Sequence, residues 1–293
     1  MIIFDKRFRG CLNYSSPEML QSTRYFKPSL GQSWLLFSLL LVGSIAAGGL
    51  LGLLTRGHAP QSLSYAAMML LPLLWCVWMG RQAAAAGGSP LALNAPHFGR
   101  LPAWAFLLLA CIALLAFSYL IEPTTSFIPM PDSIRTVFEK AFMESSLWDM
   151  VLSTCILAPL LEEFLCRGMM LRGMLTRMHP WKAIFWSALI FAVMHLNPWQ
   201  SIPAFLIGLL LGWVYWRTHC LWATIFLHCV NNSLSTMISR AWPDLPIDAG
   251  WRDVLPPTVY WTVYAAAAVV LAATLYILYE KTVSPQIQTR LEA

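Results

Sequence analysis

Eight stretches of this chain are apolar for about as long as a membrane's hydrocarbon core is thick, and few charges interrupt them. They run over 33–54, 63–80, 103–121, 147–174, 183–197, 200–216, 220–239 and 257–279. A helix of about 20 apolar residues crosses the roughly 30 Å of a bilayer interior. The alternation that marks a sheet protein is missing over any useful length. The chain is therefore expected to be all-α, a polytopic membrane bundle of about eight transmembrane helices. Charged residues make up only 11% of it, against about 25% in soluble domains, so the deficit is global and not local.

The joints between the runs are polar or rich in Pro and Gly, as in "TRGHAPQS" and "RAWPDLPIDAGWRD". They divide the chain into an N-terminal segment 1–32, N-terminal transmembrane helices 33–121, an outer connection 122–146, a core 147–240, and a last helix with its tail 241–293. Only "NPWQ" separates the fifth and sixth runs, which predicts a tight helical hairpin. Residues 132–144 are amphipathic, with Ile134, Val137, Phe138, Ala141 and Phe142 on one side, the pattern of a surface-lying or bundle-packed helix.

Loop charge sets the orientation. With the N-terminus inside, inner segments hold Lys6, Arg7, Arg9, Arg24, Lys27, Arg81, Arg100, Arg172, Arg177, Lys182, Arg217, Lys281 and Arg290, and outer segments hold Arg56, Arg135, Lys140, Arg240 and Arg252. That bias of 13 to 5 places both termini in the cytoplasm and points to a bacterial plasma membrane. It also accounts for the net charge of +5 without any nucleic-acid partner. Residues 1–32 lack an apolar core, so a cleaved signal peptide is not expected. The seven cysteines are scattered and form no CxxC pair, which argues against a disulfide framework or a thiolate metal site.

Within the fourth run, "LEEFLCR" places Glu162, Glu163 and Arg167 at membrane depth. Each such residue costs about 2.5–3.5 kcal/mol on insertion scales. Glu163 and Arg167 are four apart and share a helix face, which lets them neutralise each other. Glu162 points about 100° away and needs a partner from another helix. Desolvation of a carboxylate there suits a general base. His195 ends the fifth run, and His228 lies midway along the seventh with Asn232 four residues on. Asn231 is expected to turn away from that face. An acid, two imidazoles and a carboxamide make a workable hydrolytic set. Gly208 and Gly212 allow close helix approach, and Pro159 is placed to kink or loosen the fourth helix.

These residues resemble a known family. "EEFLCR" fits EExxxR, "FAVMH" fits FxxxH and "HCVNN" fits HxxxN, in that order on separate apolar helices. The pattern, over roughly 145–240, is similar to that of the CPBP family of intramembrane endopeptidases (the ABI or CAAX-protease-like family), to which the Ras-converting CAAX protease belongs. The resemblance implies that Glu162 activates water, His195 holds it, and His228 and Asn232 bind the oxyanion. Glu163 and Arg167 would shape the site, with Phe191 packed beside it. It implies a membrane-associated peptide or protein as substrate. Prenylated proteins are not carried over, since bacteria generally lack CAAX prenylation. A metal-free reaction is preferred because Asn is a poor zinc ligand but a good oxyanion donor. In a zinc enzyme, His195, His228 and Glu162 would be the ligands. Two other classes fit an intramembrane polar cluster: a proton- or ion-coupled transporter, and a non-catalytic scaffold.

Overall fold

The computed structural model describes residues 21–126, 128–242, 244–246 and 248–282. Lys6, Arg7, Arg9, Cys11 and Arg290 lie outside the described residues, as do the side chains of Val137, Ala141 and Phe142. Among the described residues all regular structure is helical. The long helices are α1 (Leu30–Leu54), α2 (Gln61–Ala85) and α3 (Ala103–Ile121), followed by the amphipathic α4 (Asp132–Glu144). Next comes α5, a continuous helical run over 147–175. Then follow α6 (Pro180–Val193), α7 (Pro198–Thr218), α8 (Leu221–Ala241) and α9 (Pro257–Lys281).

Each of the eight apolar runs is thus a helix. By length and composition, five are apolar enough to cross a membrane unaided: α1, α2, α3 with its following turn, α7 and α9. The apolar α6 is shorter. Polar residues dilute α5 and α8, and those residues build the site below. The outward faces of the bundle carry Ile45, Leu53 and Val269, each more than two-thirds exposed. Water would penalise such faces, whereas lipid tails do not. The protein is an all-α integral membrane bundle.

Local chemistry explains the boundaries. Ser29 and Gln32 form a reciprocal capping box that starts α1. α1 and α2 then pack closely at Gly43, where a Cβ would stand 2.7 Å from the Met68 carbonyl oxygen. The expected α6–α7 hairpin is present. Its turn is made by Leu196 at φ 56°, by Asn197, whose Oδ1 accepts from the Gln200 amide, and by Pro198 in the first turn of α7. α6 consequently ends at Val193, so His195 sits in the turn and not in the helix. At Gly208 and Gly212 an added Cβ would come within 3.1 Å of Ala188 and 3.0 Å of Ile184, which is why glycine spacing brings α7 onto α6.

Arg172, buried near the end of α5, donates to the carbonyls of Thr23, Arg24, Phe26 and Leu91. Arg217 at the end of α7 donates to Tyr279 and Thr282, and Tyr215 on the last turn of α7 donates to Leu93. The first and last described segments therefore lie at the same end of the bundle.

Candidate active site

The α5 run is not uniform. It alternates α segments (Leu147–Met150, Ala158–Glu163, Arg172–Leu175) with two π-helical stretches, Val151–Leu157 and Phe164–Leu171. In the first stretch the Ala158 amide donates five residues back, to Ser153. The next rung in that register would join residue 159 to Thr154, but Pro159 has no N–H. The Thr154 carbonyl is satisfied instead from α8, by Asn232 Nδ2 at 3.0 Å. The loosening expected of Pro159 takes the form of a register change, and π-turns of this kind accompany functional sites. Between the two stretches lie Glu162 and Glu163.

Glu163 and Arg167 are both fully buried and paired at 2.5 Å. Such a pair stands only when its remaining groups are also held. Arg167 donates to the Gly208 carbonyl at 3.0 Å, and its guanidinium lies 4.7 Å above the centre of the Phe191 ring. Glu163 Oε1 also faces His228 Nδ1 at 3.0 Å. A carboxylate paired with arginine is ionised and can only accept, so Nδ1 carries the proton. The other ring nitrogen, Nε2, lies 3.8 Å from Glu162 Oε2.

Glu162 has its partner on another helix, as its angular position requires. The Tyr65 hydroxyl of α2 donates to its Oε1 at 2.6 Å. No local pattern in the sequence flagged this tyrosine, which lies 97 residues upstream. His195 places Nδ1 3.0 Å from the Phe191 carbonyl. A carbonyl can only accept, so this nitrogen is the donor and Nε2 is left for other chemistry. The bond also satisfies one of the last carbonyls of α6. The Phe191 ring meets both imidazoles edge to face, with centroids 5.3 Å from His195 and 5.5 Å from His228.

Glu162, His195, His228 and Asn232 all line one cavity of about 720 Å³, and Phe191 forms part of its wall. Glu163 and Arg167 stand behind it, with no surface in the cavity. One expectation is corrected. Asn231 does not turn away: it lines the same cavity, accepts from Ser118 of α3 at 3.2 Å and donates to Asn232 Oδ1 at 3.3 Å. The cavity subtends a wider arc of α8 than one helical face, because α3 stands back and closes its far side. Tyr65, Gln61 and Phe138 of the amphipathic α4 complete the lining. Among the described residues no group of three His, Cys, Asp or Glu side chains gathers at metal-ligand spacing.

Residues 144–234 match the family model described as Type II CAAX prenyl endopeptidase Rce1-like. No curated protein and no solved structure is matched by the chain. The matched segment contains Glu162, Glu163, Arg167, Phe191, His195, His228 and Asn232, and excludes Tyr65. The segment that supplies the acid, the imidazoles and the amide of this cavity is thus similar to the Type II CAAX prenyl endopeptidase Rce1-like family, in a chain with five helices long and apolar enough to cross a membrane.

Proposed function

We propose that the chain hydrolyses a peptide bond in a membrane-associated peptide or protein, with Glu162 as the general base. The observation that supports this most directly is the shared cavity: an acid from α5, two imidazoles from the α6–α7 turn and α8, and a carboxamide from α8 face one hollow. Glu162 Oε2 takes a proton from a water that His195 Nε2 also contacts. The resulting hydroxide attacks the scissile carbonyl carbon. Asn232 spends one amide hydrogen on Thr154 and keeps a second for the oxyanion. His228 Nε2 donates to the oxyanion only when the ring carries two protons, and Glu163 beside Nδ1 balances that charge. Collapse of the tetrahedral intermediate breaks the C–N bond, and Glu162 returns its proton to the leaving amine.

This reaction uses no metal. What favours it is the second amide hydrogen of Asn232, a poor zinc ligand but a good oxyanion donor; the Nδ1 bonds of His228 and His195 leave both Nε2 atoms free and are equally compatible with a bound metal. Cleavage that persists in a zinc chelator supports the metal-free path. Loss of cleavage with recovery on added zinc overturns it. The core 147–240 is the catalytic unit in this reading, and the arginine-rich end of the bundle faces the cytoplasm of a bacterial cell.

The deciding experiment uses the reconstituted protein and a library of internally quenched peptides with apolar flanks, each assayed with the intact chain and with Glu162→Gln. Cleavage that disappears in the variant, at unchanged thermal stability, supports the assignment. Equal cleavage by both proteins ends it.

A further inference from the structure

Tyr65 lies on α2, about eighty residues before the segment that matches the peptidase family, yet its hydroxyl is 2.6 Å from Glu162 Oε1 and its side chain lines the same cavity. That distance falls in the short range of O–H···O⁻ bonds, about 2.5–2.7 Å. The bond ties down one carboxylate oxygen and leaves Oε2 as the one that faces His228 Nε2, at 3.8 Å. A base that must present one lone pair to a water gains from having its other oxygen held, because small misplacements of a reacting group cost up to about a hundredfold in rate.

The register of Tyr65 is itself fixed by α5. The residue before α2 is Pro60, which supplies no side-chain cap. The Asp149 carboxylate of α5 takes that role from outside the helix. It accepts from the Gln61 amide at 2.7 Å, from the Ser62 amide at 3.1 Å and from the Ser62 hydroxyl. Tyr65 follows Ser62 by three residues, one turn further along α2. The two helices are therefore pinned together at the same pair of elements twice, at a capped helix start and at the acid in the cavity.

We infer that Tyr65 is a positioning residue of the active site, acting through Glu162, and that the N-terminal helices complete the site instead of only anchoring the chain. The inference rests on the proposed role of Glu162 as base. Besides Tyr65, His228 of α8 stands against that carboxylate, its Nε2 3.8 Å from Oε2.

The test combines kinetics with infrared spectroscopy on the full chain in liposomes. Subtracting the spectrum of Glu162→Gln from that of the intact chain isolates the Glu162 carboxylate band. Tyr65→Phe should shift that band and lower kcat about tenfold to a hundredfold at near-constant KM, on the best-cleaved quenched peptide. Replacing Tyr65 by 3-fluorotyrosine keeps ring and hydroxyl in place and strengthens the donor, so it should move the band the opposite way even if Tyr65→Phe folds poorly. A band unmoved by both changes overturns the inference. If no peptide is cleaved by the intact chain, the peptidase reading falls, while the band shift still decides whether Tyr65 holds Glu162.

Discussion

Asn232 of α8 donates to the carbonyl of Thr154 on α5 at 3.0 Å, and that carbonyl is the one left over by Pro159 in the π-register. A single missing N–H thus docks the helix that carries His228 and Asn232 onto the helix that carries Glu162. Asn232→Ala removes the substitute donor and should destabilise the protein by about 1–2 kcal/mol. Pro159→Ala in that background restores a backbone N–H to the stretch and should recover part of the loss. Activity should not return, because the amide is gone from the cavity. Thermal unfolding of the two single variants and the double variant measures this, and strict additivity would contradict the link.

Among the described residues Arg167 is the only arginine or lysine paired with Glu163, which also meets the His228 ring. Arg167→Met leaves a carboxylate fully buried with one partner, which should cost about 3–5 kcal/mol. Adding Glu163→Gln removes the stranded charge, so the double variant should unfold at a higher temperature than Arg167→Met alone. Arg167→Lys keeps the charge but loses the planar contact with Phe191 and the fork that reaches both Glu163 and Gly208. It should fold better than Arg167→Met yet remain impaired in cleavage.

Gly208→Ala and Gly212→Ala separate packing from chemistry. The new methyl at 208 would meet Ala188 at 3.1 Å and Phe191 at 3.3 Å, and the one at 212 would meet Ile184 at 3.0 Å. Each should destabilise by about 1–3 kcal/mol through overpacking. Only position 208 also displaces Phe191 and the carbonyl that accepts from Arg167, so only Gly208→Ala should lower cleavage disproportionately. Ala188→Gly makes room for that methyl and should restore both properties. Cleavage assays beside melting curves for the three proteins decide the point.

What the sequence disclosed about this site followed from distance along the chain. Glu163 and Arg167, and His228 and Asn232, are four apart, and helical geometry alone puts each pair on one face. Charges in an apolar run announced themselves by their cost. Tyr65 gave no such signal, since a lone tyrosine in a membrane helix is ordinary and its partner lies far downstream. Asn231 lies off the face that α8 defines by itself, and it is α3 behind it that brings the cavity to that side. The end of α6 at Val193 was hidden by the apolar residues that carry hydrophobicity past it, although Asn197 and Pro198 mark the start of the next helix. The two π-stretches of α5 left no pattern beyond Pro159, for a register change alters which carbonyl is used and not which residue types are apolar.

Arg135 in the first turn of α4 grips Asp248 of the α8–α9 connection through two bonds of 3.0 and 2.8 Å. The hydrogen bond from Arg135 holds the Asp248 carboxyl below its usual range. A lowered carboxyl value means stability that is present above the ordinary value, about 4, and lost as pH falls through the lowered one. Backbone amide exchange around 130–136 and 248–250 should therefore quicken together in acid below about pH 4, and Asp248→Asn should quicken it at neutral pH. Exchange that stays pH-independent after correction for intrinsic rates would show that the clasp does not hold α4.

Arg172 tests whether the segment before α1 is part of the fold. Its guanidinium is buried, and among the described residues no carboxylate pairs with it. Its two terminal nitrogens donate to the carbonyls of Thr23, Arg24, Phe26 and Leu91, which they draw from the segment before α1 and from the α2–α3 connection onto the end of α5. Gly173 beside it lies so close to the Pro28 backbone that a side chain there would clash. Arg172→Met cannot replace those donors, and several buried carbonyls would be orphaned at about 1–3 kcal/mol each in the limit of full burial. The segment should then release, and trypsin should cut after Arg24 in the variant far faster than in the intact chain. Glu162 lies well over a helical turn away on the same helix, so cleavage by the variant should fall less than its stability. A variant that keeps Arg24 protected would mean that the segment is held by its apolar contacts, chiefly the packing of Phe26 on Trp75 at 5.2 Å, and that the arginine is dispensable.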